Sequence, residues 1–262
     1  MMKLNFPFHL VSSSPWPLNG SFTLMFMMTG VLKMLSEKSL NLFTSSFILL
    51  LLISYQWWRD ISREATYQGS HSLKVFTGLQ IGMSLFIISE LMFFFSFFWC
   101  YFHMYLSPSI SVGLEIPPLN LIPFSPYNIP LLNTLILLSS GVTLTMCHHS
   151  LMKNKFKTSF MSFTITLILG ILFSYFQYME YIESTFTMTD SMYGSIFFMA
   201  TGFHGLHVLI GTLFILVGFV RFTFKHFSQY HHFGFEAASW YWHFVDVVWL
   251  FLYIFIYWLP FN

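Results

Sequence analysis

One uncharged stretch constrains the fold of this chain more than any other. Residues 193–220 contain no Lys, Arg, Asp or Glu and are long enough to cross a bilayer core of ~30 Å as a helix. At about 100° per residue, one face of that helix carries Ala200, His204, His207 and Gly211. Small residues let helices approach closely in lipid, so this face predicts a packing seam whose two imidazoles need a polar partner.

The composition places the whole chain in the membrane class. Hydrophobic residues make up 56%, charged residues only 8%, and the mean hydropathy is +0.67. A soluble domain would carry roughly 25% charged residues. The net charge of +1 gives no overall attraction for nucleic acid. Cys100 and Cys147 lie in apolar runs without metal-ligand spacing, so we expect both to be buried, inert thiols.

Seven segments are apolar and long enough to span a bilayer: 16–35, 41–58, 73–105, 128–150, 156–180, 191–223 and 233–258. No internal repeat is visible, so we expect residues 1–262 to form one all-α transmembrane domain. The absence of inverted repeats also disfavours a secondary transporter. The Pro-rich loop 107–127 carries almost no charge and should lie irregularly on the membrane surface.

The positions of Lys and Arg predict the orientation of the chain. With seven spans, the side of the N-terminus holds nine of them: Lys3, Arg59, Arg63, Lys74, Lys153, Lys155, Lys157, Arg221 and Lys225. The opposite side holds only Lys33 and Lys38. Because basic loops stay on the cytoplasm-equivalent side, we place the N-terminus there and the C-terminus on the other side.

Glu90 lies within the apolar run 85–98, surrounded by Phe, Ile, Leu and Met. An ionised carboxylate at the centre of a spanning helix costs about 2.5–3.5 kcal/mol on insertion scales. By helical rise from the basic side, Glu90 lies ~25 Å from Leu73, and His207 lies ~24 Å from Thr223. We therefore predict that Glu90 pairs with His204 or His207. The alternative is that each group bonds separately to a hydroxyl or a backbone carbonyl.

The last segment carries further polar residues. Its stripe of Glu236, Trp240, His243 and Val247 shares one helical face. His243 and Asp246 are three residues apart and can bond along the helix. Asp246 is ~20 Å into the span, where an unpaired charge is implausible. These acids and histidines suit either a proton path or a paired brace between helices, and we favour the brace.

A metal or haem site at His204 and His207 would need a third ligand. No Glu-x-x-His repeat recurs, and no second intramembrane histidine pair faces these two. The pairs 148–149 and 231–232 lie at segment ends on the basic side, where solvated or head-group-contacting histidines are normal. We therefore expect no metal in this chain and hydrogen bonding as the role of His204 and His207. A haem- or metal-binding membrane protein is the alternative.

A charged cluster with aromatic neighbours lies on the basic side. The residues from which we expect phospholipid contact are Trp58, Arg63, Glu64, His71, Arg221, Lys225 and His226. Arg geometry suits phosphate head groups, and such clusters beside apolar grooves suit lipids. For any single residue, charge that only sets the topology is the alternative.

Three long motifs resemble cytochrome c oxidase subunit III of the mitochondrially encoded kind. They are ATGFHGLHVLIG at 200–211, HHFGFEAASWYWHFVDVVWLFLY at 231–253 and WWRDISREATYQG at 57–69. The stretches SPWPLNG at 14–20 and ISELMFFFSFFW at 88–99 fit as well. The resemblance covers essentially the whole chain.

The resemblance implies seven helices, two in one arm and five in the other, around a V-shaped cleft that holds phospholipids. It implies a non-redox core subunit of the oxidase that passes electrons from cytochrome c to oxygen and pumps protons. Haems and copper would lie in partner subunits I and II, with no catalytic residue in this chain. The subunit would stabilise subunit I, support proton uptake and contact small accessory subunits. The N-terminus would face the mitochondrial matrix and the C-terminus the intermembrane space.

Overall fold

The computed structural model describes residues 7–108, 117–118 and 121–261. Seven long helices run through this part: α1 Trp16–Glu37, α2 Asn41–Arg63, α3 Leu73–Leu106, α4 Ile129–Met152, α5 Phe156–Ile182, α6 Met192–Thr223 and α7 Phe233–Leu252. The predicted all-α class is confirmed, and each helix begins and ends within about six residues of a predicted segment. Lys3 and part of the loop 107–127 lie outside the described residues.

Six helices in the described part of the chain are long and apolar enough to cross a membrane. They are α1, α3, α4, α5, α6 and the helix that runs from Phe233 to Phe261. This confirms a multi-pass membrane protein. The exception is α2, which is long enough but carries serines and Gln56 beside its leucine run. Its span over 41–58 stays a prediction, as do the single domain and the cleft between two and five helices.

The helix ends follow ordinary backbone chemistry. Prolines stand in the first turn of α1 and of α4, where a missing N–H costs nothing. The Ser191 Oγ caps α6 by accepting a hydrogen bond from the Gly194 N–H at 3.0 Å. Two stretches were not predicted: π-helical turns follow α2 over Glu64–Gln68 and α7 over Tyr253–Trp258. The first ends at Gly69, whose φ of 64° suits glycine.

The chain divides into two compact units, Met1–Leu79 and Gln80–Asn262. In the first, α1 and α2 pack so closely that a Cβ on Gly30 would lie 2.8 Å from the Phe43 Cα. At the start of α1 and the end of α2, the Trp16 Nε1–H donates to the Asp60 carboxylate at 2.8 Å. Glycine at the crossing and a polar bond near the helix ends together hold the hairpin.

In the second unit, Trp242 of α7 lies where three other helices meet. It is fully buried, and its Nε1–H donates to the Ser140 Oγ of α4 at 2.8 Å. A Cβ on Gly170 of α5 or on Gly211 of α6 would lie 2.9 Å from its ring. The small residues therefore make room for the largest side chain of the core.

The expectation for the cysteines is half right. Cys147 is buried on α4 and its thiol donates to the Ser159 carbonyl at 3.6 Å. Cys100 is exposed on α3, so the expectation of burial was wrong there. An apolar run shows that a residue lies in a span but does not show which face of the helix packs against the protein.

Replacing Gly211 with Ala should destabilise the protein by about 1–3 kcal/mol, because the new methyl group overpacks against the immobile Trp242 ring. The midpoint of thermal unfolding measures the effect. Gly205→Ala is the matched control on the same helix, since nothing lies within 4 Å of a Cβ there. Equal midpoints for the two variants would contradict this account of the seam.

Candidate functional site

The predicted seam of α6 meets Glu90 of α3. The Glu90 Oε2 lies 2.9 Å from the His207 Nε2, whereas His204 does not contact Glu90. Phe94 packs against the His207 ring at 5.0 Å between centroids, and Tyr241 stacks on it at 6.2 Å. The side chains are 25% and 10% exposed for Glu90 and His207, so the pair is largely removed from solvent.

The backbone fixes the tautomer of His207. Its Nδ1 lies 2.6 Å from the Phe203 carbonyl, which can only accept, so Nδ1 carries a proton. In a neutral imidazole the Nε2 is then an acceptor, and Glu90 must donate as the carboxylic acid. If the proton sits on Nε2 instead, the pair is imidazolium and carboxylate. Either way one proton is shared between Nε2 and Oε2, and the net charge of the pair is zero.

His204 is committed elsewhere. It is buried, and its Nε2–H donates to the Val245 carbonyl of α7 at 3.2 Å. Its ring packs against Trp249 at 5.1 Å between centroids. The Nδ1 has no hydrogen-bond partner within the described residues. His204 therefore joins α6 to α7, while His207 joins α6 to α3.

The polar residues of α7 occupy two separate places. The Asp246 Oδ2 lies 3.6 Å from the His243 Nδ1 along the helix, and a Cβ on Gly141 of α4 would approach that oxygen to 2.7 Å. Glu236 lies at the start of α7, with its Oε1 3.2 Å from the His232 Nε2. In the described part of the chain no hydrogen bond joins Glu236 or Asp246 to the Glu90–His207 pair.

Comparison with known proteins decides the family. The family model for cytochrome c oxidase subunit III matches residues 6–261. Cytochrome c oxidase subunit 3 of Drosophila melanogaster is 58% identical over 254 residues, which cover 97% of each chain. The subunit 3 of Aedes aegypti is likewise 58% identical over 254 residues. That of Myxine glutinosa is 54% identical over 258 residues, 98% of this chain and 99% of the relative.

The chain belongs to the cytochrome c oxidase subunit III family. The resemblance predicted from its motifs is thereby confirmed, and so is its place as a subunit of the oxidase complex. The enzyme is the complex. The Glu90–His207 pair is accordingly a feature of a subunit III chain within that complex.

The predicted lipid contacts in the first unit of this subunit III chain differ in exposure. Trp58 is 67% exposed and the Arg63 side chain 58% exposed, so both are available to a head group. The Glu64 Oε2 lies 3.1 Å from the His9 Nε2, and the His71 ring packs edge-on against His9 at 6.3 Å. Glu64 therefore already has a partner within this unit.

Beside that cluster, beyond the predicted span 41–58, Asp60 contacts Trp16, Arg59 and Arg63. The hydrogen bond from Trp16 lowers the pKa of the Asp60 carboxyl, and the guanidinium of Arg59, which also bonds to it, lowers that pKa further. Asp60 thus holds its charge beside Arg59 and leaves Arg63 only a longer contact of 3.9 Å.

In the second unit, Arg221 lies at the C-terminal end of α6 with its guanidinium 4.8 Å from the centre of the Phe227 ring. Lys225 follows the helix in a left-handed turn with φ of 57°. Burial, together with the positive charge of Arg221, lowers the pKa of the His226 imidazole beyond the helix. His226 is therefore favoured in its neutral form next to a permanent cation.

The sequence reasoning missed a buried acid on α5. Glu180 is 1% exposed, and neither of its oxygens makes a hydrogen bond within the described residues. The Tyr257 hydroxyl lies close enough to interact with it, and Gln177, one turn earlier, accepts from the Asn133 amide at 3.5 Å. The sequence feature that could have revealed this acid is the spacing of Gln177 and Glu180, which places both on one face of an apolar segment. It was overlooked because the predicted span 156–180 ends at Glu180.

Replacing Glu90 with Leu should cost about 1–3 kcal/mol, because it leaves the His207 Nε2 buried without a partner. Glu90→Gln should cost much less, since the amide N–H can donate to the same nitrogen. Thermal unfolding of the purified complex distinguishes the two variants. Ser89→Ala is the control, as this exposed hydroxyl bonds only to its own helix. A Gln variant as unstable as the Leu variant would contradict the shared-proton pair.

Proposed function

We propose that this chain is a non-redox core subunit of the mitochondrial cytochrome c oxidase, which stabilises subunit I and supports proton uptake without holding haem or copper itself. The observation that supports the proposal most is the Glu90–His207 pair at membrane depth. It neutralises two ionisable side chains and ties α3 to α6. A rigid, uncharged brace of this kind suits a subunit that supports a neighbouring catalytic subunit.

The His204 contacts favour this function over the alternative of a haem- or metal-binding protein. A metal held by His204 and His207 would need one lone pair from each ring and at least one more ligand. His207 has no lone pair to offer, because its Nδ1 is bound to the Phe203 carbonyl and its Nε2 to Glu90. His204 could offer only its Nδ1, since its Nε2 is bound to the Val245 carbonyl.

The outer face of α3 supports assembly with partner subunits in a membrane. Leu91, Phe95 and Trp99 are exposed along this helix, with exposed fractions from 49% to 67%. An apolar cavity of about 780 Å³ lies between α3 and α7, and Phe98 and Phe251 are among the residues that line it. Such a surface belongs in lipid or against another apolar chain.

The basic residues support the proposed orientation in the inner membrane, with the N-terminus in the matrix and the C-terminus in the intermembrane space. Lys153 and Lys155 lie in the turn between α4 and α5, and Arg221 lies in the last turn of α6. Such residues favour the side from which chains are inserted. Protease protection in intact mitoplasts, read with antibodies to each terminus, tests the orientation.

The Glu90→Leu variant of the assembled oxidase, which removes the bond to His207, tests the supporting role. We expect normal haem and copper content and a near-normal initial rate, followed by faster loss of activity during sustained turnover. Glu183→Gln, at an exposed acid after α5, should behave as the unchanged protein. Metal analysis of the isolated chain completes the test. Stoichiometric iron or copper in that chain would contradict the proposal and make His204 and His207 ligands.

We also propose phospholipid binding at the basic clusters, around Arg63 with Trp58 and around Arg221. An exposed guanidinium next to an exposed indole offers both a phosphate contact and an interfacial anchor.

Arg63→Ala should lower the number of phospholipids that remain bound to the purified complex, and Arg63→Lys should restore them only in part because lysine cannot bond bidentately. Native mass spectrometry counts the lipids. Lys38→Ala, on the opposite predicted side, is the control. An unchanged lipid count in the Arg63→Ala complex would contradict lipid binding at Arg63 and would mean that this charge only sets the orientation of the chain in the membrane.

A further inference from the structure

We propose that His148, His232 and Glu236 form a binding site for a divalent zinc ion. The three residues come from two helix ends: His148 from the last turns of α4, His232 from the N-cap of α7 and Glu236 from its first turn. One ligand atom from each residue lies within 4.8 Å of the others, and among the described residues this is the group that has that geometry.

The distances already approach those of a coordination sphere. The two Nε2 atoms of His148 and His232 are 3.1 Å apart, and the His232 Nε2 is 3.2 Å from the Glu236 Oε1. Zinc binds imidazole nitrogen and carboxylate oxygen at about 2.0–2.2 Å, so tetrahedral ligands stand roughly 3.3 Å from one another. Without an ion the His148 Nε2–H donates a hydrogen bond to the His232 Nε2, so to bind zinc His148 moves this proton to its Nδ1, and its side chain and that of Glu236 shift to surround the ion.

The surroundings prepare His232 as a ligand. Its Nδ1 lies 3.0 Å from the Ser228 carbonyl, which can only accept, so Nδ1 carries a proton. In the neutral ring the Nε2 lone pair then points at the cluster. Histidines that bind zinc commonly donate their other ring N–H to a carbonyl in this way, which fixes the tautomer and the orientation of the ring. His232 itself is 5% exposed, so its ring is held in place.

The charges favour a cation at the centre of the cluster. With a neutral His232, the Nε2 lone pair faces a carboxylate oxygen at 3.2 Å, which is repulsive unless a proton or a metal lies between them. The second oxygen of Glu236 is buried and has no hydrogen-bond partner within the described part of the chain. Its ion pair is with His232 rather than with a lysine or arginine, so its negative charge is available to a metal.

Two imidazoles and one carboxylate are typical zinc ligands, and they leave one position for water or the second carboxylate oxygen. Magnesium and calcium prefer all-oxygen ligands and should compete poorly. The site lies at the end of the spans that carries the basic loops, beside the turn at Lys153, where an ion can enter from water. Zinc there would tie the C-terminal end of α4 to the N-terminal end of α7.

Zinc binding to the assembled oxidase tests the proposal. The purified complex is stripped with a chelator and dialysed against radioactive Zn²⁺ buffered in the micromolar range, with Mg²⁺ in excess. His232→Gln and Glu236→Gln each remove one ligand. His149→Gln and His231→Gln are matched controls, because each is adjacent to a ligand but outside the cluster. We expect the first two variants to bind one zinc ion fewer per complex than the controls.

Thermal unfolding gives a second readout. Zinc should raise the unfolding midpoint of the unchanged complex and of both controls, because it binds only the folded cluster. Zinc should not raise the midpoint of the Glu236→Gln variant. Because this substitution keeps the side-chain volume, it still tests the proposal if the His232→Gln variant fails to assemble. Zinc binding and a zinc-dependent midpoint in Glu236→Gln equal to those of the controls would overturn the proposal.

Discussion

A polar side chain inside a bilayer has no water to bond with, and this constraint accounts for the polar contacts within the spans. Ser and Thr hydroxyls of the spans bond back to carbonyls three or four residues earlier, as Ser140 and Thr166 do. Imidazoles and carboxylates need partners beyond the carbonyls of their own helix. They must reach another helix, and the bonds they make there, such as His204 to Val245 and His207 to Glu90, determine which helices are neighbours.

Apolar packing then adapts to these bonds. Because lipid supplies no hydrophobic drive between helices, close contact depends on shape. Trp242 shows how this works, since its indole ring fills the space left by Gly170 and Gly211 while its N–H bonds to Ser140. Aromatic rings occupy the rest of the seam, as where Phe173 packs edge-on against Trp249 at 4.9 Å. The ring of Trp242 fits only because positions 170 and 211 carry no Cβ, and without the ring the two glycines would leave a cavity.

The sequence predicted properties that depend on distance along the chain. Helix length in a bilayer is fixed by rise per residue, so the seven segments were placed to within about six residues. The same rise per residue predicted that Glu90 and His207 lie at nearly equal depth in the membrane. It could not choose between His204 and His207, because that choice depends on which side of α6 faces α3 and which faces α7. Rotation about the helix axis is set by packing, and the helical rise per residue gives no information about packing.

The same limitation explains what was missed or misassigned. Cys100 was expected to be buried, but it lies on the exposed side of its helix. Glu180 lies at the edge of a predicted span, where an acid looks solvated, yet the helix continues to Ile182 and the tertiary fold buries it. His148 and His232 are far apart in sequence and each looked like an ordinary histidine at a span end. Only the antiparallel packing of α4 against α7 brings them within 3.1 Å.

Depth also separates what the polar clusters can do. The Glu90–His207 pair lies where ions are costly, and its shared proton makes it neutral overall, so it can brace helices but leaves no lone pair on the His207 ring for a ligand. The cluster of His148, His232 and Glu236 lies at the helix ends, where water can deliver an ion and desolvation costs less. There His148, His232 and Glu236 bring two imidazole nitrogens and a carboxylate oxygen to within 4.8 Å of one another. The difference between a structural pair and a metal-binding cluster thus follows from position along the membrane normal, with the same side-chain chemistry in both.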